Sequence, residues 1–288
     1  MKTAVLYSGH MRSFARCLPT QIDHVFRHFP GADFFVSTIK DADSSTAELL
    51  REKFPKSRVE IEVLDCQPEL PIPVPPIADD WVAGANRLYG HEPYAISVHP
   101  QAILRQLWHL ARVWEFFKAK AQAARDTIPA DGSVEGYAQV IRMRADNYFR
   151  SFRPAWPISP RIKAHFLLNP NSQGVAVIDS DKEYERKVAL TPFWGRFGGV
   201  NDRFAVLGET AAQAYFTTFS RIGELLAKNY PLHPERLVYA SLIESGCTVD
   251  DTLHAWFSKL IWDHGKDHGS FRDPEVTAVD HIHMTARP

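Results

Sequence analysis

Residues 140–149 read VIRMRADNYF, and this stretch decides the fold that we predict. Its apolar, β-branched start is typical of a buried strand, and its last residues leave the sheet carrying two arginines and one acid. In open α/β sheets, ligands bind outside the carboxyl ends of the strands. An Arg-x-Asp at such a strand end suits a phosphorylated ligand, which Arg contacts directly and Asp contacts through a metal ion.

The charged residues of this stretch alternate along the predicted strand. Arg142, Arg144 and Asp146 then share one face, and Met143 and Ala145 lie on the other. Two arginines and an acid cannot all lie in an apolar core, so they pair with one another or face a cleft. Two interpretations stay open: a structural Arg144–Asp146 ion pair, or a site in which Asp146 binds a divalent metal and an arginine binds substrate.

The order of the predicted elements indicates an α/β fold. In the first 65 residues strands alternate with helices, which is typical of a parallel sheet with right-handed crossovers. Strands are predicted at 4–8, 32–39, 58–64, 139–144 and 204–207, and helices at 14–28, 46–54, 101–124, 208–226 and 233–246. We therefore expect a mostly parallel central sheet flanked by helices, with a decorated C-terminal half. A proline-rich excursion at 67–100 interrupts the pattern.

Composition argues against several classes of protein. The chain has 288 residues, 45% of them hydrophobic, and its formal net charge of −1 gives no support to a general nucleic-acid binder. Its three cysteines match neither a disulfide framework nor a zinc module. The N-terminus lacks the apolar run of a signal peptide, and no stretch approaches the length of a transmembrane helix. We therefore expect a cytoplasmic protein.

Two further loops carry candidate site residues. After the first strand, Ser8 precedes Gly9, which lets the backbone approach a ligand, and Arg12 is a bidentate donor for a phosphate. Paired glycines precede Asp202, where a carboxylate can act as a general base or bind a sugar hydroxyl. The structural alternatives are an ordinary turn with a surface Arg12, and an Asx-turn or a salt bridge between Asp202 and Arg203.

Histidines are concentrated in the C-terminal tail. His281 and His283 have a spacing compatible with a metal site, but neither a cysteine nor a His-Glu-x-x-His core accompanies them. Outside the tail, Gln106 and His109 lie near the start of a predicted helix whose apolar stripe points to the core. These two polar residues are free to face a pocket.

Three motifs, taken in order, resemble those of a known family. Residues 5–14 read VLYSGHMRSF, residues 140–149 contain Arg-x-Arg-x-Asp-x-x-Phe, and residues 201–208 read NDRFAVLG. Together they resemble bacterial and viral-type glycosyltransferases of the GT-A class, in which the second motif occupies the place of the metal-binding Asp-x-Asp. The order and spacing of the motifs cover most of residues 1–245.

The resemblance implies a GT-A-like fold and a function. The chain would move a sugar from a nucleotide-diphosphate sugar to a hydroxyl acceptor, in surface polysaccharide or glycan synthesis. One domain, 1–288, would comprise a nucleotide-binding half at 1–150 and an acceptor half with the tail at 151–288. Two alternatives stay open: a GT-A-like binding module without turnover, and another nucleotide-dependent transferase.

The resemblance also implies roles by position. Asp202 would act on the acceptor hydroxyl, and Asp146 would bind Mn²⁺ or Mg²⁺ at the diphosphate, together with His283 from the tail. This chain has Tyr148 where Asp-x-Asp has its second acid, so an arginine would replace part of the metal's charge on the leaving diphosphate. The donor would be contacted by Ser8, Gly9, Arg12, Arg142 and Arg144.

Overall fold

A central β-sheet organises the protein in the computed structural model, which describes residues 2–68, 70, 100–123, 137–153, 182–195 and 198–259. The strands are β1 (Lys2–Ser8), β2 (Asp33–Ile39), β3 (Val59–Leu64), β4 (Tyr137–Met143), β5 (Asn147–Phe152), β6 (Val188–Leu190), β7 (Phe204–Leu207), β8 (Thr248–Asp250) and β9 (Ala255–Lys259). Seven of them form the central sheet in the order β3-β2-β1-β4-β7-β6-β8, and β5 pairs with β9 in a second, two-stranded sheet.

The central sheet is mostly parallel. β3, β2, β1 and β4 pair in parallel, β7 is antiparallel to both β4 and β6, and β8 is parallel to β6. The helices are α1 (Phe14–His24), α2 (Leu49–Lys53), α3 (Pro100–Ala123), α4 (Lys182–Lys187), α5 (Glu209–Phe216), α6 (Ile222–Ala227) and α7 (Pro234–Glu244). The predicted fold class, a mostly parallel sheet flanked by helices, is confirmed.

The alternation of side chains along β1 divides the core into two layers. Ala4 and Leu6 pack on one face with the apolar stripe of α3 and with residues of α5 and α7. Val5 and Tyr7 pack on the other face with α1 and with the small β5–β9 sheet. Because every β1 residue from Thr3 to Tyr7 is buried, this strand lies at the centre of the fold.

The strand order creates a crevice between β1 and β4. From β1 the chain turns through α1 to β2 and β3 on one side, and α3 then precedes β4 on the other side of β1. α1 and α3 lie on opposite faces of the sheet. The strand order therefore reverses at β1, and such a topological switch point is where open α/β sheets bind ligands.

Several predicted boundaries are wrong, for physical reasons. The strand predicted at 139–144 ends at Met143, so Arg144 and Asp146 lie in a turn and do not continue its pleat. β5 follows this turn directly and was not predicted. It is half-exposed and pairs with β9, more than 100 residues later in the chain, and sequence periodicity does not reveal such a distant pairing. The helix predicted at 208–226 is divided by a 3₁₀ segment, Thr218–Arg221.

The proline-rich excursion falls almost wholly outside the described residues. Among the helices of the described ranges, none combines the length and the apolar character needed to cross a membrane.

Candidate functional site

A cavity of about 350 Å³ opens at the carboxyl ends of β1 and β4. Its volume is in the range of small-molecule sites, about 300–1,000 Å³. The loop after β1, the turn after β4 and the first turns of α3 form its walls. It is lined by Ser8, Gly9, His10, Arg12, Gln67, Ala102, Arg105, Gln106, His109, Arg142, Arg144, Ala145 and Asp146.

The loop after β1 turns at Gly9. Its φ of +91° lies in the left-handed region that favours glycine, and its N–H donates to the Ser37 carbonyl at 3.1 Å. This bond ties the loop to the end of β2. Arg12 follows as an exposed side chain that forms no ion pair with any residue the structure describes. The loop thus presents a guanidinium at the cavity that has no ion-pair partner among the described residues.

Arg142 supplies a second guanidinium, from inside the sheet. Its side chain is buried on β4, where Nη1 donates to the Met143 carbonyl at 2.9 Å and Nε to the Asp202 carbonyl at 3.4 Å. Burial lowers the pKa of Arg142, and the charge of Asp202 partly offsets this effect. The arginine remains charged because its ordinary pKa is so high. It is therefore a fixed positive charge in the cavity wall.

Arg144 and Asp146 form a two-point ion pair. Arg144 Nε donates to Asp146 Oδ1 at 3.0 Å and Nη2 donates to Oδ2 at 2.9 Å. Burial disfavours the charged form of Arg144, but the carboxylates of Asp146 and Asp202 outweigh burial and raise its pKa. The sequence left open a structural ion pair and a metal-binding Asp146, and the observed geometry is that of the ion pair.

The described residues form no metal site built from protein ligands alone. Both carboxylate oxygens of Asp146 accept hydrogen bonds from Arg144, and no group of three or more His, Cys, Asp or Glu side chains in the described ranges is arranged as a metal site. Mg²⁺ is usually held by one or two carboxylates together with substrate phosphates and water, and the carboxylate available here, that of Asp146, is paired with Arg144. His283, the second predicted ligand, lies outside the described residues.

Two histidines line the cavity in different surroundings. His10 Nδ1 lies 2.6 Å from Asp41 Oδ2, and both side chains are partly exposed. His109 is buried, its Nε2 accepts from the Gln67 amide at 2.9 Å, and its Nδ1 has no partner in the described part of the chain. Burial, together with the nearby charges of His10 and Arg142, lowers the pKa of His109 to about 4, so it is neutral near pH 7.

Asp202 lies behind the cavity wall. Because β7 is antiparallel to β4, Asp202, two residues before β7, lies near the carboxyl end of β4. Its side chain is only 3% exposed and accepts a hydrogen bond from Gln106, which does line the cavity. The predicted catalytic Asp202 thus reaches the cavity through Gln106 in this structure.

The second of the paired glycines before Asp202, Gly199, allows a close backbone contact. A Cβ on Gly199 would clash with the Glu235 backbone at the start of α7, and the next N–H, of Val200, donates to the Glu235 carbonyl at 3.1 Å. The backbone at Gly199 therefore lies close to the start of α7. This contact holds the 198–203 loop against the helix.

Positive charge dominates the cavity. Four arginines line it, and its one lining carboxylate, Asp146, is paired with Arg144. Arg105, like Arg12, is exposed and forms no ion pair with the described residues. Since the whole chain has a net charge of −1, this concentration is local. The cavity is suited to an anion with several oxygen atoms.

Comparisons with known proteins leave the family open. No family model and no curated protein matches the sequence. Among solved structures, that of mouse xyloside xylosyltransferase 1 in its apo form aligns over 85% of this chain and 82% of that chain, with 9% identity and a TM-score of 0.33. A similarity this weak assigns neither a family nor an activity.

The structure brings most of the predicted site residues to one cavity. Those lining it are Ser8, Gly9, Arg12, Arg142, Arg144 and Asp146, and Gln106 and His109 join them. Sequence reasoning missed Arg105 and the pairing of His10 with Asp41. Arg105 lies one helical turn before His109, and residues four apart share a helix face. That spacing was the signal from which its place in the cavity could have been predicted.

Proposed function

We propose that the protein is a glycosyltransferase whose cavity receives the diphosphate of a nucleotide sugar. The observation that carries this proposal is the convergence of four arginines at the switch-point crevice, where one paired carboxylate is the sole lining acid among the described residues. Departure of a nucleoside diphosphate leaves negative charge on its phosphate oxygens, and fixed cations stabilise such charge as it develops.

The arginines differ in the parts they play in this proposal. Arg12 and Arg105 are exposed and have no described ion-pair partner, so they are available to bind phosphate oxygens. Arg142 is held by backbone carbonyls and adds a charge that does not need to be reoriented. The first turns of the long helix α3 also line the cavity, and the positive end of the helix dipole favours an anion there.

The resemblance of the three motifs to GT-A enzymes narrows the anion to a nucleotide sugar. Ser8, Gly9 and Arg12 belong to the first motif and line the cavity beside the arginines of the second. Because both carboxylate oxygens of Asp146 are engaged by Arg144, the proposal assigns the neutralising charge to arginine. Asp202, from the third motif, would position Gln106 through their hydrogen bond.

The first test is a ligand screen by thermal unfolding. Purified protein is heated with UDP-, GDP- and TDP-sugars, each with Mn²⁺ and with EDTA. A ligand present at a hundred times its Kd stabilises the folded state by about 2.7 kcal/mol, which raises the Tm measurably. We expect at least one nucleotide sugar to raise the Tm in EDTA. If none does so under either condition, the proposed function is wrong.

A second test asks whether the cavity arginines bind the donor directly or only through the overall charge of the protein. Arg12→Gln and Arg105→Gln should each weaken donor binding by about tenfold to a hundredfold, since one charged hydrogen-bonded contact contributes about 1.5–3 kcal/mol. Arg51→Gln is the matched control, because Arg51 is an arginine on α2 outside the cavity, paired with Glu48. Donor binding without hydrolysis or transfer would favour the binding module over the enzyme.

A further inference from the structure

A histidine and an aspartate meet at the cavity from two neighbouring parallel strands. His10 follows β1 and Asp41 follows β2, and the pairing of the strands brings their carboxyl ends together. Asp41 Oδ2 lies 2.6 Å from His10 Nδ1, and its Oδ1 accepts the Asp43 N–H at 3.0 Å. The backbone thus orients the carboxylate, and the carboxylate orients the imidazole.

This arrangement leaves one basic nitrogen available at the cavity. When Nδ1 of the neutral imidazole donates to Asp41, Nε2 of His10 carries a lone pair. No described residue is hydrogen-bonded to that nitrogen. A carboxylate that binds the far nitrogen of a histidine fixes its tautomer and supports the charge formed when the near nitrogen takes up a proton.

The other basic groups near the cavity are already engaged. Both oxygens of Asp146 accept hydrogen bonds from an arginine, and His109 Nε2 accepts one from a glutamine amide. Asp202 accepts a hydrogen bond from Gln106 and does not line the cavity. Of the described lining residues, His10 therefore has the freest proton-accepting atom.

We propose that His10 is the general base of the sugar transfer and that Asp41 is its positioning residue. The inference rests on the proposed function. In one step, the acceptor oxygen bonds to the anomeric carbon, and the bond from that carbon to the phosphate oxygen breaks. The electron pair leaves with the nucleoside diphosphate, and the hydroxyl proton passes to His10 Nε2. A single displacement of this kind inverts the anomeric configuration.

The kinetic test uses the nucleotide sugar found by thermal unfolding, with water as the acceptor. Loss of a general base costs about a hundredfold to ten-thousandfold in rate. His10→Ala should lower kcat by such a factor, leave the Tm shift by the donor intact, and regain activity with added imidazole. Asp41→Asn should lower kcat without that rescue. His254→Ala, at an exposed histidine outside the cavity, should keep wild-type activity.

The outcomes separate the two proposals. If wild type hydrolyses the donor and His10→Ala does so equally fast, or imidazole restores nothing, His10 is not the base and the glycosyltransferase proposal stands. If wild type neither binds nor hydrolyses any nucleotide sugar, both proposals fall.

A spectroscopic test does not depend on turnover. Long-range ¹H–¹⁵N spectra of the full chain distinguish the two imidazole tautomers. We expect neutral His10 to carry its proton on Nδ1 in wild type, and Asp41→Asn to shift it toward Nε2. The same mixture of tautomers in both proteins would overturn the role of Asp41. Asp65→Asn, at an exposed acid beyond β3, is the control.

Discussion

The Arg144–Asp146 pair permits a quantitative test of how the turn after β4 is built. The changes are Arg144→Met, Asp146→Asn and their combination, which together form a double-mutant cycle. The two hydrogen bonds measure 3.0 and 2.9 Å, and the side chains are 23% and 14% exposed. Double-mutant cycles on exposed pairs give about 0.2–1 kcal/mol, and hydrogen bonds to charged groups contribute about 1.5–3 kcal/mol. For a pair with two such bonds and little exposure we expect a coupling of about 2 kcal/mol.

The assay is urea unfolding of the four proteins under identical conditions, with the free energy of unfolding extrapolated to water. A parallel cycle on Arg51 and Glu48 controls for hydrogen-bond length, because Arg51 Nη1 donates to the two Glu48 oxygens at 2.8 and 2.9 Å but the side chains are 34% and 54% exposed. That cycle should give about 0.3–0.5 kcal/mol. A coupling below about 0.5 kcal/mol for Arg144 and Asp146 would refute the assignment of the pair as a structural element of the turn.

Three further predictions concern the packing and charge around the cavity. Gly199→Ala should lower the free energy of unfolding by about 2–3 kcal/mol, because the added Cβ would meet the α7 backbone. Gly223→Ala, on α6 with open space around it, should raise it by about 0.5–1 kcal/mol; urea unfolding measures both changes. Burial and the charge of Asp202 raise the pKa of Glu235 above its ordinary 4.5, so wild type loses stability as the pH rises above that value, and Glu235→Gln should gain on wild type toward neutral pH. Burial lowers the pKa of His109 from 6.5 to about 4, so wild type should lose stability as the pH falls from the first value to the second, and His109→Gln should lack this part of the loss. For Glu235 and for His109 alike, an equal dependence of stability on pH in the variant and in wild type would contradict the prediction.

The first half of the fold follows from sequence patterns because its contacts are local in the chain. β1, β2 and β3 succeed one another with short crossovers, so their periodicity and turns suffice to predict a parallel sheet. The β5–β9 pair joins residues more than 100 positions apart, and neither strand has a strong apolar pattern of its own. Such a strand is determined by its partner and not by its own residues.

In the site, too, contacts that follow from local sequence were predictable and contacts that depend on the fold in space were not. Strand-end position was enough to bring Gly9, Arg12 and Arg142 together, since the carboxyl ends of neighbouring parallel strands meet at one edge. The contact between His10 and Asp41 depends on the order of strands in space, because 31 residues separate them in sequence. The direction of the Asp202 side chain depends on packing beneath the cavity, which no sequence pattern records.

The most direct test of the central claim is a calorimetric titration of the nucleoside diphosphate from the best donor into wild type and Arg105→Gln, both in EDTA. The claim is that arginines of the cavity bind the diphosphate without help from a metal ion. We predict binding to wild type that persists in EDTA and weakens by about tenfold to a hundredfold in the variant. Binding that vanishes in EDTA, or that is equally strong in the variant, would contradict the claim.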